Sequence, residues 1–462
     1  MKLSVTEKVG YSLGDLSANL VFQTLMTYLA YFYTDVYGLA PDVATPIIFT
    51  VGMVAAFAFN PIIGALADRT QTRWGKFRPW ILFTAVPLSV AALLAFTTPD
   101  WDTQGKIIYA IITYALLLFL YAANNLPYAA LSGVITGDMS ERNSLSSYRF
   151  VAVMVAQFSV QSLMYPLIDK LGDGDKAAGF SKVMVYLAVI GALLMLITFF
   201  TTKERIVPKP EQKSTLAQDI ADVKNNTPWW IMLFTTVLVF ITLAMKGGTY
   251  LYYFENYVSS DALSSFLASF SIRDVENPAG TGFSIFNGLG IVLMIIGISF
   301  SKYFADRFGK RDTFRWSLFL STLPILAFYF IPADAVATIF GAQLLHGFFY
   351  GISTPILWAM IADVADYSEW KNNRRATAMI FSAMMVGLKA GLTLGQSLIT
   401  ALLNHFNYVP NAVQSADTVQ GILLTVSLFA AIPFLLSVAL LFFYEIDKKK
   451  EIQIETELKL RR

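Results

Sequence analysis

Two long apolar runs joined by a short knot of charge constrain this chain more than any other feature. The stretch is NPIIGALADRTQTRWGKFRPW, Asn60 to Trp80, and Asp68, Arg69, Arg73, Lys76 and Arg78 lie between the runs. Each run can cross the roughly 30 Å hydrocarbon core of a bilayer, and the basic loop then stays on the cytoplasmic side. A soluble fold has no use for that arrangement. The order Asp-Arg, Gly, paired basic residues returns in SKYFADRFGKRDTFR, Ser301 to Arg315, as Asp306, Arg307, Gly309, Lys310 and Arg311. Two such loops half a chain apart point to two homologous helical halves, an organisation typical of secondary transporters.

Composition agrees. The 462 residues are 56% hydrophobic and 14% charged, and the mean hydropathy is +0.56, too apolar for a soluble protein of this size. A net charge of +2 gives no sign of a nucleic-acid partner, and the absence of cysteine removes disulfides, thiolate chemistry and the usual zinc sites. His346 and His405 stand too far apart to make a metal-ligand spacing. The N-terminus lacks a short apolar core ending in small residues, so the first span reads as a retained helix.

Twelve apolar spans are expected, near 10–34, 43–66, 79–98, 107–134, 145–168, 181–201, 228–254, 279–302, 314–331, 336–362, 376–404 and 419–444. With both termini cytoplasmic, the inside segments hold about 26 of the 34 lysines and arginines and the outside segments about five. The polar, proline-bearing stretch 203–227 reads as a cytoplasmic linker. It separates an N-terminal six-helix bundle, 1–202, from a C-terminal one, 228–445, followed by a cytoplasmic tail, 446–462. The fold class is therefore all-α and integral to the membrane. The outside loop 255–278 contains ALSSFLASFSI, which reads either as a short interfacial helix or as an apolar loop packed on its neighbours.

A charge at membrane depth costs about 2.5–3.5 kcal/mol on insertion scales, so each embedded one asks for a use. Four stand out: Asp15 in the first span, Arg149 in the fifth, Lys246 in the seventh and Lys389 in the eleventh. Three cations against one carboxylate leave a formal excess of two positive charges. The bland alternative is that Asp15 pairs with one cation while the others snorkel or cap helix ends. Asn19, Gln23 and Thr27 recur at four-residue spacing on one face of the first span, and Asn124 and Asn125 precede Pro127 in the fourth. Gln157 and Gln161 continue the side of Arg149; His346 and Thr354 share a side of the tenth span. Such polar stripes serve either as ligand contacts or as glue between helices. Asn19, Gln23, Asn125, Arg149, Lys246, His346 and Lys389 are the substrate-binding candidates, with no catalytic residue and no metal site among them. Asp15 is the candidate for coupling to a proton.

The chain resembles the glycoside–pentoside–hexuronide cation symporters, the melibiose-permease-like branch of the major facilitator superfamily. The matching stretches are YSLGDLSANL with YLAYFYTDVYGL, NPIIGALADRTQTRWGKFRPWIL, NNLPYAALSGVITGDMSERNSLSSYRF, IADVADYSEWKNNRRATAMIFSAMMVGLKAGLTLG and NYVPNAVQSADTVQG. The resemblance implies twelve transmembrane helices in two pseudo-symmetric six-helix bundles, a central sugar site and alternating access. It places Asn19, Asn125 and Arg149 at or beside sugar-contacting positions, and Lys389 on the family's lysine near sugar and cation.

The departures from that pattern set the substrate expectation. Sodium-coupled members carry two aspartates one turn apart in the second helix, where this chain has Ala56 and Asn60. Their aspartates in the fourth and first helices are Asn125 and Asn19 here. A sodium site wants hard oxygen ligands with compensating negative charge, so sodium coupling at that site is not expected. Removing carboxylates while keeping Arg149, Lys246 and Lys389 makes the polar set basic, which fits a sugar acid.

The expected activity is thus import of an acidic mono- or oligosaccharide of the hexuronide type across a bacterial inner membrane, by a monomer. It needs no cofactor, and a co-transported proton is allowed. A neutral glycoside or pentoside moved by proton coupling or uniport is the alternative, with an amphipathic lipid behind it. An enzyme would need a nucleophile–base pair or a metal set at one depth, and none is present. Asp68, Arg69, Arg73, Asp306, Arg307 and Arg311 are expected to form a cytoplasmic gate, pairing with neighbouring helix ends while the site faces outward.

Overall fold

The apolar runs become helices because a chain in lipid must satisfy its backbone hydrogen bonds within the segment. A computed structural model describes residues 3–136, 139–205, 226–273, 275–372 and 377–461. Fourteen helices and no strand occur among the described residues. Helix α1 (Val5–Tyr31) runs on into a π-helical turn, Phe32–Val36. Helix α2 joins Pro41–Val54, a π turn at Ala55–Phe59, and Asn60–Arg69. Then follow α3 (Arg78–Ala95), α4 (Thr103–Ile135), α5 (Met139–Phe158, a π turn Ser159–Leu163, and Met164–Gly172) and α6 (Lys176–Thr201). The second set is α7 (Thr227–Asn256), the short α8 (Ser260–Ser269), α9 (Pro278–Phe308), α10 (Lys310–Ala327), α11 (Val336–Asn372) and α12 (Thr377–His405). Helix α13 joins Ala416–Leu424, a π turn Thr425–Phe429, and Ala430–Leu441; α14 is Lys448–Arg461.

Leaving out α8 and α14, twelve helices are long, as expected, and ten of them are long and apolar enough to cross a membrane by composition alone. The other two, α1 and α10, carry Glu7, Lys8 and Asp15 and Lys310–Arg315 respectively. Helix starts follow local chemistry. Asp102, Asp175, Asn226 and Asn277 each accept a hydrogen bond from a backbone N–H of the first turn, and Pro41, Pro79, Pro228 and Pro278 fill first-turn positions that need no donor.

The chain divides into two compact units, one of Met1–Glu211 with Val409–Ala412, the other of Gln212–Tyr408 with Val413–Arg462. Most of the expected linker, residues 206–225, lies outside the described residues. The expected tail folds as α14, which packs against α11 and buries Ile454 and Leu458. Helix α8 also packs on its own unit: Leu263 and Leu267 are buried, and Phe266 meets Phe340 with ring centroids 5.0 Å apart.

Apolar side chains line the interior and also cover the outside, and polar groups are buried among them. Phe57, Phe83, Leu193 and Phe200 project outward, while Asn124, Thr198, His346 and Thr400 are buried. Exposed apolar faces of this extent suit a lipid surround. Helix α9 packs closely on α11. A Cβ at Gly297 would lie 2.0 Å from the Phe348 carbonyl oxygen, one at Gly347 2.4 Å from the Gly290 oxygen, and one at Gly351 2.1 Å from the Met294 oxygen. Only hydrogen fits at those crossings.

The two charged loops share a backbone device. Gly75 and Gly309 both take positive φ, 111° and 88°, and a helix begins shortly after each. In the first loop the Glu204 carboxylate accepts from the backbone N–H groups of Lys76, Phe77 and Arg78 at 2.8, 2.7 and 2.9 Å. A Cβ on Gly75 would lie 2.4 Å from the Glu204 carboxyl carbon. Glu204 thus serves the N-terminus of α3 from a distant stretch of sequence, with the helix dipole in its favour. Glu204→Ala should lower stability by about 1–3 kcal/mol, because three amides lose a charged acceptor. Thermal unfolding in detergent checks this, and an unchanged melting temperature would refute it.

Candidate functional site

In the first unit, α1 and α5 bring the expected residues together. Asp15 is buried, and its Oδ2 accepts from Arg149 Nε at 2.8 Å. Asn19, one turn on, turns its amide back to donate to the Asp15 carbonyl at 2.9 Å, with Asp15 Oδ1 at 3.4 Å. The Arg149 guanidinium lies 5.7 and 5.6 Å from the ring centroids of Tyr11 and Tyr128. Those rings stack at 4.7 Å, and each hydroxyl donates to the other's backbone carbonyl, at 3.0 and 2.7 Å. The pair forms a fixed aromatic wall for the cation.

This wall was not singled out from the sequence. The available signal was Tyr11 standing four residues before Asp15, hence on its face of the helix.

Arg149 keeps chemistry in reserve. Its side chain is 29% exposed, and among the described residues Nε is the only guanidinium nitrogen with a hydrogen bond. The two terminal nitrogens are held as a fork by a carboxylate behind and two rings beside. Asn125 is half-buried and makes no side-chain hydrogen bond among the described residues. Its neighbour Asn124 is fully buried and donates to Thr84 Oγ1 at 2.8 Å. Gln23 accepts from Gln161 at 3.0 Å, the glue role weighed for such stripes.

Asn60 has a backbone task. Its amide donates to the carbonyls of Ala55 and Ala56 at 3.0 and 3.3 Å, in the π turn just before Pro61, whose missing N–H leaves the ladder short of a donor.

In the second unit, Lys246 and His346 meet directly. Nζ of Lys246 contacts Nε2 of His346, and His346 Nδ1 lies 2.9 Å from the Ser321 carbonyl oxygen. The carbonyl only accepts, so Nδ1 carries the hydrogen and Nε2 is the acceptor for the lysine. His346 is 1% exposed. Tyr350 lies parallel to its ring at 5.8 Å, Lys246 lies over Tyr250 at 5.6 Å, and the Tyr250 hydroxyl donates to Gln343 Oε1 at 3.1 Å. Gln343, His346 and Tyr350 follow the i, i+3, i+7 spacing of one helix face. Tyr250 stands four residues after Lys246 on α7, so it is the Ser321 carbonyl that joins the set only in three dimensions.

Lys389 sits on α12, whose Gly387, Gly391 and Gly395 approach α7. A Cβ on Gly391 would lie 2.5 Å from the Val237 oxygen and one on Gly395 2.7 Å from the Ile241 oxygen. Two residues from either of two such glycines is a rotation of about 200°, so Lys389 is turned away from that interface.

Of the residues expected to form a gate, Arg73, Asp306, Arg307 and Arg311 are engaged within their own units. Arg73 stacks on Trp74 at 4.4 Å, Arg307 donates to the Tyr303 hydroxyl at 3.2 Å, and Lys448 donates to the Asp306 carbonyl at 2.7 Å. Arg311 pairs with Asp312 at 3.1 Å and donates to the Tyr444 carbonyl at 3.3 Å. Arg69 is exposed at the end of α2, and the side chain of Asp68 lies outside the described residues. Shorter ion pairs at this end of the second unit centre on Lys310, which was not expected to take part: it meets Asp363 at 2.7 Å and Glu451 of α14 at 2.9 Å.

The family model described as "MFS/sugar transport protein" matches residues 10–268 and 262–448. The chain belongs to this family. It is 34% identical over 432 residues to the "Inner membrane symporter YicJ" of Escherichia coli (strain K12), covering 93% of this chain and 89% of that protein. The "Isoprimeverose transporter" of Lactiplantibacillus pentosus is 30% identical, with 96% and 89% covered. The "Glucuronide carrier protein homolog" of Escherichia coli (strain K12) is 28% identical, with 99% and 96% covered. Among solved structures, a bacterial homologue of the human lysosomal transporter Spinster, inward-facing and unoccupied, aligns with a TM-score of 0.65. It is 14% identical, and 96% of this chain and all of that one are covered, a likeness of fold. The protein is a multi-pass membrane transporter of the major facilitator fold with twelve transmembrane helices in two six-helix bundles, and not an enzyme.

Proposed function

We propose that the protein is a secondary transporter that imports an acidic sugar of the hexuronide type by alternating access. The observation that supports this reading most is Arg149. A buried carboxylate and two tyrosine rings hold its guanidinium by one edge, and its outer nitrogens match the spacing of a sugar carboxylate. Lys246 and Lys389 add positive charge in the other unit. Relatives whose names specify a glucuronide and isoprimeverose support a glycoside as cargo. A neutral glycoside is the second reading, favoured by the charge that Asp15 already offsets on Arg149. Uptake of a methyl glucuronide and of the matching methyl glucoside into proteoliposomes tests the choice. Preference for the glucoside installs the neutral reading instead.

Sodium is not the coupling ion in this proposal. The Ala56 side chain has no ligand atom, and Asn60, whose amide nitrogen donates to the Ala55 and Ala56 carbonyls, offers only a neutral oxygen with no compensating charge. Titrating glucuronide in sodium and in choline buffers should therefore give one dissociation constant. A sodium-dependent shift would reveal a linked sodium site and end this part of the proposal.

A further inference from the structure

The Lys246–His346 contact is a pairing of two bases with no acid between them. Among the described residues no carboxylate pairs with Lys246, and His346 has both ring nitrogens committed. With the hydrogen of Nδ1 given to the Ser321 carbonyl, Nε2 must accept. The pair can then hold one positive charge on the ammonium or none. It cannot hold two, since a hydrogen on Nε2 would point at the lysine with no acceptor.

We propose that this pair is the proton-carrying site of the transporter. The inference rests on the transport reading above and adds the identity of the co-transported ion. In the loaded state the lysine is an ammonium donating to Nε2. In the unloaded state one Nζ–H bond has broken, its electrons stay on nitrogen as the amine lone pair, and the proton has left to water. The remaining N–H still donates to Nε2, so the pair keeps its geometry through the cycle. A lone charge at membrane depth is costly, and two events relieve that cost: the arrival of an anionic sugar or the loss of the proton. Sugar and proton are thereby linked, as symport requires.

The groups around the pair fit this role. Helix α7 contributes Tyr250, whose ring faces the ammonium, α10 contributes the Ser321 carbonyl, and α11 contributes Gln343 and Tyr350. Helix α12, packed against α7, carries Lys389 on a face turned away from α7. The remaining charges of α9 and α10, Lys302, Asp306, Arg307 and Lys310–Arg315, lie at the ends of those helices where they meet, as does Asp363 near the end of α11. Asp15, the carboxylate expected to serve a proton, is instead paired with Arg149.

The test uses proteoliposomes with a pH dye in the lumen and radiolabelled methyl glucuronide outside. In the wild type, sugar entry should acidify the lumen with about one proton per sugar, the charge balance of the proposed pair with a uronate. In Lys246→Met the proton-to-sugar ratio should fall at least about tenfold, whatever rate of sugar entry remains. Should that variant not fold, His346→Gln decides: it replaces the acceptor of the lysine, so the midpoint of the uptake–pH profile should move, and an unmoved midpoint overturns the proposal. Sugar entry without protons in the wild type overturns it too, and leaves the transport reading standing. An unchanged ratio in Lys246→Met does the same. No uptake of glucuronide or glucoside by the wild type removes both readings.

Discussion

Replacing Arg149 with alanine should weaken glucuronide binding by about 2–5 kcal/mol, the usual loss when one partner of a desolvated, hydrogen-bonded charge pair is removed. Two losses combine. The sugar carboxylate loses its fork, and Asp15, buried and no longer paired, stays behind as an uncompensated charge. Arg149→Lys should recover little. An ammonium is a point charge that cannot both hold Asp15 from behind and offer two parallel donors in front. The matching neutral glucoside should lose only an ordinary hydrogen bond, about 0.5–1.5 kcal/mol. Isothermal titration of glucuronide and glucoside against wild type, Arg149→Ala and Arg149→Lys reads all of this. Equal losses for the two sugars would mean that Arg149 holds the fold of the first unit and does not read charge. Asp15→Asn with Arg149→Ala controls for the orphaned carboxylate, since the double variant leaves no buried charge behind.

A second large effect is expected far from any charge. Gly351→Leu should prevent the second unit from folding, or destabilise it by at least about 3 kcal/mol, the upper end of ordinary overpacking. A Cβ there would meet the Met294 carbonyl oxygen at 2.1 Å, and a backbone atom cannot swing aside as a side-chain tip can. Gly347 and Gly297 contribute the same close approach, so α9 and α11 would have to separate along two turns. Gly341, on the same helix, has open space where its Cβ would be, and Gly341→Leu should be tolerated apart from helix propensity. Size-exclusion profiles and melting temperatures of the two purified variants in one detergent make the comparison. Similar behaviour of both would remove the packing argument. The consequence reaches the candidate site, because His346 and Tyr350 ride on the same helix and Gly347 and Gly351 fix its position against α9.

Helix number, helix length and the division into two sets of six were legible in the sequence. Hydropathy over about twenty residues is a local property, and lipid allows an isolated segment no other way to satisfy its backbone. The repeated Asp-Arg, Gly, Lys-Arg loops were legible for a related reason: a glycine at positive φ shortly before a helix start is a short-range device, and Gly75 and Gly309 both show it. The embedded charges Asp15, Arg149, Lys246 and Lys389 were also visible, because a charge inside an apolar run stands out whatever surrounds it.

Their partners were not visible. Whether Arg149 would meet Asp15, and Lys246 would meet His346, depends on contacts across 134 and 100 residues of chain. The first depends on how α1 and α5 rotate on their axes, and the second also on how glycines let α9 close on α11. Tyr11 and Tyr128 were lost among 22 tyrosines, and Ser321 enters through a backbone carbonyl that no side-chain pattern records. Glu204 was read as part of a polar linker and turned out to seat the start of α3. Sequence determined which groups are placed in the membrane, since insertion cost is paid residue by residue. Tertiary structure alone decided which of those charges neutralise one another and which keep a donor to offer, since that depends on distances of a few ångströms between helices remote in sequence.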